Sequence, residues 1–382
     1  MMDYNNRILL LINGGSFIVI GSVMSRLHVL QAWMDMNYEQ FSWVLFCFSF
    51  GAILSNLTVG RLIPYLGVRK VLTATMFCIV VALILFVEKP VYIKLMSLWM
   101  LLGFGFSGSM VVVMSQAGIV QAQQGKSWMS FFQGISGIGV IGGMGMGLLS
   151  NYLKFPIDSH FPIVGLAMMS VLIFTLLIYV PYESNQEQHG PSLRPTNILI
   201  LLAFMNFSLI LSISSFISWS GVMLRDKFKF EDDLATFGTF GFVLAETGIR
   251  FWGDVLLKHF GKIPLLVGTG VLTSVSLLSI YLIQHPIWAL TGCVCVGLAS
   301  GTIQPIIFGL SAEQKGAMAR NMSFVMLFQS VAFLAGPLIT GLIAQHVGLF
   351  EIYLFCSFVS AMIVMLGLLL LQFEKTNFRT VK

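Results

Sequence analysis

The sequence predicts an all-α membrane protein, twelve transmembrane helices arranged as two six-helix pseudo-repeats. Three observations lead there. Lys, Arg, Asp and Glu together make up 10% of 382 residues, against roughly 25% in an ordinary soluble domain. Apolar residues reach 57% and mean hydropathy is +0.89, so the chain cannot cover a water-facing surface. Charged, proline-containing and polar clusters cut it into about twelve apolar stretches, and at about 20 residues per crossing twelve helices take roughly 240 residues, leaving no room for a soluble domain. Finally, glycines and basic residues of the first half recur in the second at a spacing near half the chain length.

The spans follow in order. Span one, 8–30, is longer than the 7–15-residue core of a signal peptide and lacks a small-residue cleavage site, so it reads as a retained helix. Span two covers 39–63. Span three, 71–87, is short but lies between Arg69-Lys70 and Glu88-Lys89-Pro90; span four covers 93–119 and carries no charge after Lys94. Span five, 128–152, is glycine-rich, and span six covers 162–180. Pro181 to Thr196 is rich in Gln, Glu, Ser, Gly and Pro and reads as a flexible connection. It divides the chain into an N-terminal bundle (1–180), a cytoplasmic linker (181–196) and a C-terminal bundle (197–382). Span seven covers 197–224, and the run from Arg225 to Asp233 reads as a solvated loop whose Asp232 or Asp233 caps span eight, 234–257. Spans nine to twelve cover 264–283, 287–311, 320–345 and 350–372.

Gly60 and Gly67 before Arg69-Lys70 recur as Gly253 and Gly261 before Lys262, and Gly103 recurs as Gly297, offsets of 193 and 194. Such an offset implies a duplicated six-helix unit, which in transporters places a solute site between the repeats near the bilayer midplane. With both termini in the cytoplasm, thirteen basic residues fall inside and six outside (Lys89, Lys94, Lys154, Arg225, Lys227, Lys229), the sense of the positive-inside rule. The scattered basic residues form no nucleic-acid face. The five cysteines lie in apolar runs without disulfide or zinc spacing and read as packing residues. No G-x-x-x-x-G-K-[ST] loop and no nucleophile or metal arrangement is present, which excludes ATP-driven transport within this chain and leaves no enzymatic chemistry.

Twelve spans in a 6+6 duplication, a polar central loop and a glycine-rich turn after span two together resemble the major facilitator superfamily. The family's loop signature, Gly-x-x-x-Asp-Arg-x-Gly-Arg-Arg, is met here by Gly60, Gly67 and Arg69, with Lys70 following, and with Pro64, Tyr65 and Val68 where Asp, Arg and a basic residue stand in the signature. Finer features are similar to the rhizopine-permease-like (MosC-like) bacterial subgroup: Arg26 late in span one, Trp219 late in span seven, Gln133-Gly134 with Gly137, Gly139, Gly143, Gly145 and Gly147 in span five, Pro305, and Phe333 to Pro337 in span eleven. The subgroup pattern carries His at the place of Gln133 and Asp at that of Ser218. The resemblance implies alternating access and a cavity lined by spans one, four, seven and ten.

Glu246 is the sharpest single signal, because it falls near the middle of span eight, where an ionised side chain costs about 2.5–3.5 kcal/mol. Arg250 and Asp254 follow at one-turn intervals, so the ladder either neutralises itself as a structural salt bridge or holds a carboxylate that takes up and releases a proton. Arg26 either snorkels to the interface or faces the cavity as a multidentate donor. Asn13, Gln116, Asn206, Trp219 and Gln304 lie in the cavity-lining spans and serve either as interhelical hydrogen-bond partners or as solute contacts. Gly60, Gly67, Arg69, Gly139, Gly143, Gly253, Gly336 and Pro337 are candidates for gating and close packing.

The expectation is a secondary active permease of the bacterial inner membrane, multi-pass, monomeric and cofactor-free. It would move a small sugar- or polyol-like solute with protons, its partners being that solute and the lipid bilayer, with no nucleic acid. Efflux of drugs or metabolites by proton antiport is the alternative; against it, span four lacks an internal Arg and span five a Pro.

Overall fold

A computed structural model describes residues 4–124, 128–181, 195–314 and 318–379. Most of the proposed linker, 181–196, lies outside these residues. The chain divides into two compact units, Met1–Glu187 and Gln188–Lys382. Among the described residues every regular element is a helix.

The first unit contains α1 (Tyr4–Met24), α2 (Leu27–Trp33), α3 (Tyr38–Leu66), α4 (Val68–Ile84), α5 (Tyr92–Gln124), α6 (Trp128–Tyr152) and α7 (Ile157–Ile178). In it α1 packs on α6, α3 on α5, and α4 on both α5 and α7. The second contains α8 (Asn197–Phe228), α9 (Asp232–Arg250), α10 (Gly253–Phe260), α11 (Lys262–Ile283), α12 (Pro286–Ser300), α13 (Ile303–Ala312), α14 (Met318–His346) and α15 (Glu351–Arg379). There α8 packs on α14, α9 on α12, and α11 on α15 and α12. Nine helical stretches among the described residues are long and apolar enough to cross a bilayer. Of the other expected spans, 71–87 falls on the 17-residue α4, 128–152 on α6, and 234–257 on α9 and α10, where charge and a break interrupt the apolar run. Large apolar side chains face outward, Phe77, Leu177 and Phe358 among them, as lipid solvation requires.

The duplication is visible in matched contacts. Gly67 (φ 81°) and Gly261 (φ 78°) each form a one-residue link between helices, their N–H groups donating to Ile63 at 2.8 Å and Leu257 at 2.9 Å. Positive φ is cheap only for glycine. A Cβ on Gly103 would run into the Phe48 carbonyl, and one on Gly297 into the Phe242 carbonyl, 194 positions on in both partners. Two helices thus touch backbone to backbone in each unit, in the manner of small-residue packing.

Several expected boundaries shift. Span one breaks at Ser25-Arg26, span eight at Phe251-Trp252 and span ten at Gly301-Thr302. The expected loop 225–233 is helical as far as Phe228, because Arg225 and Lys227 sit in the last turn of α8, where positive charge suits the helix dipole. The N-cap of α9 is Glu231, not Asp232 or Asp233. Asp233 accepts instead from the Leu234 N–H at 2.8 Å.

Candidate functional site

Glu246 lies fifteen residues into α9, and one turn later the Arg250 guanidinium meets it, Nη2 to Oε1 at 2.8 Å, with the side chains 18% and 38% exposed. Arg250 also reaches across to the break in span ten, donating from Nε to the Gly301 carbonyl at 3.2 Å. The approach depends on glycine, since a Cβ at 301 would lie 2.6 Å from the Glu246 carbonyl. The side chain of Asp254, the third rung expected in this ladder, lies outside the described residues.

A second polar group joins three helices of the same unit. Asn206 on α8 is fully buried, and its Nδ2 donates to the Val325 carbonyl and to Gln329 Oε1, both at 3.4 Å. Gln304 on α13 donates to the same Oε1 at 2.9 Å. The first unit carries the counterpart 193 positions earlier. Asn13 Nδ2 donates to the Phe132 carbonyl at 2.8 Å and to Ser136 Oγ at 3.0 Å. Gln329 replaces Ser136 in the repeat, and its longer amide is what brings Gln304 into the group.

Arg26 occupies the break between α1 and α2, 3% exposed, and Nη2 donates to the Phe155 carbonyl at 2.7 Å. It is thus buried inside its own unit. Beside the break, His160 on α7 is held at both ring nitrogens, Nε2 with Ser22 Oγ at 2.6 Å and Nδ1 with Ser150 Oγ at 3.0 Å. The Ser150 hydroxyl donates to the Met146 carbonyl. Its lone pairs are left for an Nδ1–H.

The remaining candidates are bonded within their units. Gln116 Oε1 accepts from the Tyr179 hydroxyl at 2.9 Å, and Trp219 Nε1 donates to Thr340 Oγ1 at 2.9 Å. Trp219 stands 193 positions after Arg26, so repeat-equivalent sites carry two different buried anchors. Gly139 lies against the Gly14 carbonyl, Gly143 against that of Ile18, and Gly336 against the Ser214 and Ser215 hydroxyls. The α14 helix runs unbroken through Pro337. At Gly60 and Gly253 a Cβ would meet nothing within 4 Å. Arg69 donates to the Leu176 carbonyl, fastening the start of α4 to the end of α7, and Lys262 pairs with Glu313. The side chain of Gln133 lies outside the described residues.

His160, Gln329 and the Gly301 carbonyl were not among the sequence candidates. Their partners lie 10 to 138 residues away in the chain. A histidine two residues before span six, a glutamine within span eleven and a proline four residues after a glycine were the available signals.

The chain has relatives among known proteins. The Major Facilitator Superfamily model matches residues 8–320. An uncharacterised MFS-type transporter of Yersinia pestis is 26% identical over 326 residues, covering 82% of each chain. The uncharacterised transporter y4wD of Sinorhizobium fredii is 24% identical over 366 residues, covering 95% of this chain and 96% of its own. The membrane protein MosC of Rhizobium meliloti is 23% identical over 337 residues, covering 86% and 80%. Crystal structures of the nucleoside transporter NupG superpose with TM-scores of 0.78 for a point variant and 0.74, at 11% and 13% identity, covering 95–96% of this chain and 98% of theirs. That likeness establishes the fold. The chain belongs to the Major Facilitator Superfamily, a multi-pass membrane transporter of small solutes and not an enzyme.

Proposed function

We propose that the chain is a secondary active transporter that moves a small polar, sugar- or polyol-like solute across the bacterial inner membrane by alternating access, coupled to protons. In this reading it works as a monomer with both termini and the linker 181–196 in the cytoplasm, and the bundles 1–180 and 197–382 are the moving parts. The observation that carries the reading is the Glu246–Arg250 pair, 2.8 Å apart on α9. At the mid-span depth expected for residue 246, a charge costs about 2.5–3.5 kcal/mol if uncompensated, which favours a functional use. A carboxylate with one counter-ion changes its proton occupancy as hydration and spacing change between two access states. The amide group Asn206, Gln304 and Gln329 supports a solute that exchanges hydrogen bonds, and a neighbour in fold, NupG, is a nucleoside transporter. Arg26, Asn13, Gln116 and Trp219 are the further solute-site candidates. Gly60, Gly67, Arg69, Gly139, Gly143, Gly253, Gly336 and Pro337 are the candidate gating and packing positions.

The test begins with a thermal-shift screen over a solute panel, since a ligand of the native state raises apparent stability. The hit is then followed in proteoliposomes. Glu246→Gln keeps the volume and removes the titration, so it should keep exchange of the solute and lose accumulation driven by a pH gradient. Accumulation with the wild-type pH dependence would make the pair structural.

A further inference from the structure

We propose that Arg250 is a positioning residue for span ten: its Nε–H replaces the backbone donor that Pro305 takes away from the Gly301 carbonyl, and Glu246 holds the guanidinium in place to do so. In an α-helix the carbonyl of residue 301 accepts from the N–H of residue 305. Proline has no N–H, so this acceptor is freed, and in a membrane a freed carbonyl needs another partner. The helix indeed breaks at Gly301-Thr302, between α12 and α13. Arg250 Nε stands 3.2 Å from the carbonyl, and Nη2 of the same fork stands 2.8 Å from Glu246 Oε1. One rigid planar group therefore joins the carboxylate on α9 to the break in the neighbouring rod.

The first unit supplies an internal control. Counting back 194 positions, Arg250 corresponds to Asn56, Gly301 to Ser107 and Pro305 to Val111. There the two helices are joined by a neutral bond, Ser107 Oγ to Asn56 Oδ1 at 2.7 Å, and α5 runs from Tyr92 to Gln124 without a break. With an ordinary residue at 111 the backbone satisfies itself, and no cation is needed. Proline, the break and the arginine occur together, in one repeat only. The consequence for transport rests on the reading of Glu246 as the coupling carboxylate: a change in its charge releases or holds the guanidinium, and with it the shape of span ten.

Hydrogen–deuterium exchange of the purified full chain reads the break in peptides covering residues 298–308. On the Glu246→Gln background no carboxylate is left unpaired, so Arg250→Gln can be added without a stranded charge. That double variant should exchange about tenfold faster across the break than the wild-type chain, the size expected for one charge-assisted hydrogen bond. Adding Pro305→Ala should return exchange to within about threefold, because the alanine N–H bonds the Gly301 carbonyl directly. Arg250→Lys alone keeps the charge beside Glu246 but loses the fork, and should give an intermediate rise while expressing normally. Unchanged exchange in the double variant, no rescue by Pro305→Ala, or wild-type exchange in Arg250→Lys would each overturn the proposal. The coupling reading fails by a different readout, continued accumulation by Glu246→Gln, and that result leaves the exchange data standing.

Discussion

Asn13 and Asn206 offer a comparison in which most unknowns cancel. Both are fully buried asparagines at repeat-equivalent positions, each bonded to a backbone carbonyl and a side chain on the partner helix. Replacing either by Ala removes the same atoms from similar surroundings, so the cavity cost is common to both. What differs is bond quality: 2.8 and 3.0 Å for Asn13 against 3.4 Å twice for Asn206. Hydrogen bonds between membrane helices average about 0.6 kcal/mol and reach about 1.7, and strength falls as the distance passes about 3.2 Å. Two short bonds are then worth about 1.5 kcal/mol and two long ones about 0.5. Ser136 also donates to the Phe132 carbonyl at 2.9 Å, so removing Asn13 leaves that oxygen satisfied and adds no orphan penalty. Asn13→Ala should therefore destabilise by about 1 kcal/mol more than Asn206→Ala, about fivefold in the unfolding equilibrium. SDS titration of each variant in mixed micelles measures the difference. An Asn206→Ala loss equal to or larger than that of Asn13→Ala would refute the assignment of strength by geometry.

Gly301→Ala should lower stability by about 1–3 kcal/mol in the same titration, since its Cβ would lie 2.6 Å from the Glu246 carbonyl. Gly60→Ala, in the open at mid-helix, should be neutral or gain up to about 1 kcal/mol. Arg26→Lys should weaken apparent solute affinity if Arg26 binds solute through its fork of donors, and unchanged uptake kinetics would limit it to holding the Phe155 carbonyl. Reporter fusions active only in the periplasm should stay silent at positions 188 and 382 and give signal at 228, and a signal at 382 would reverse the orientation drawn from the basic residues.

Helix positions were legible because bilayer thickness imposes a length on apolar runs, and the duplication because Gly67 and Gly261 occupy links that only glycine fills cheaply. The ends of helices were less so. At Arg225 and Lys227 charge marks where apolar sequence stops, yet the backbone bonds of α8 continue through both. The breaks escaped for a different reason. Pro305 can be read as freeing the Gly301 carbonyl, but its replacement donor comes from Arg250, and the carbonyl held by Arg26 is 129 residues away. The ion pair of Glu246 with Arg250 was accessible because both lie one turn apart on one helix, whereas Gln329 and His160 bond across helices that local spacing does not relate.

The pairing of helices in each unit also sets a schedule for synthesis. Helices α3 and α4 follow one another through a single glycine, yet α3 packs on α5 and α1 packs on α6. Early helices therefore enter the bilayer before their partners exist. Asn13 meets its acceptor at Phe132 only after 119 further residues, roughly 6 to 24 s at the usual rate of translation of 5–20 residues per second. Through that interval the amide has to be tolerated by lipid, the translocon or a chaperone, and the same wait is repeated between Asn206 and Val325. A ribosome stalled near residue 124 would expose such a waiting amide to crosslinking, and one stalled some tens of residues beyond 136 would find it already paired.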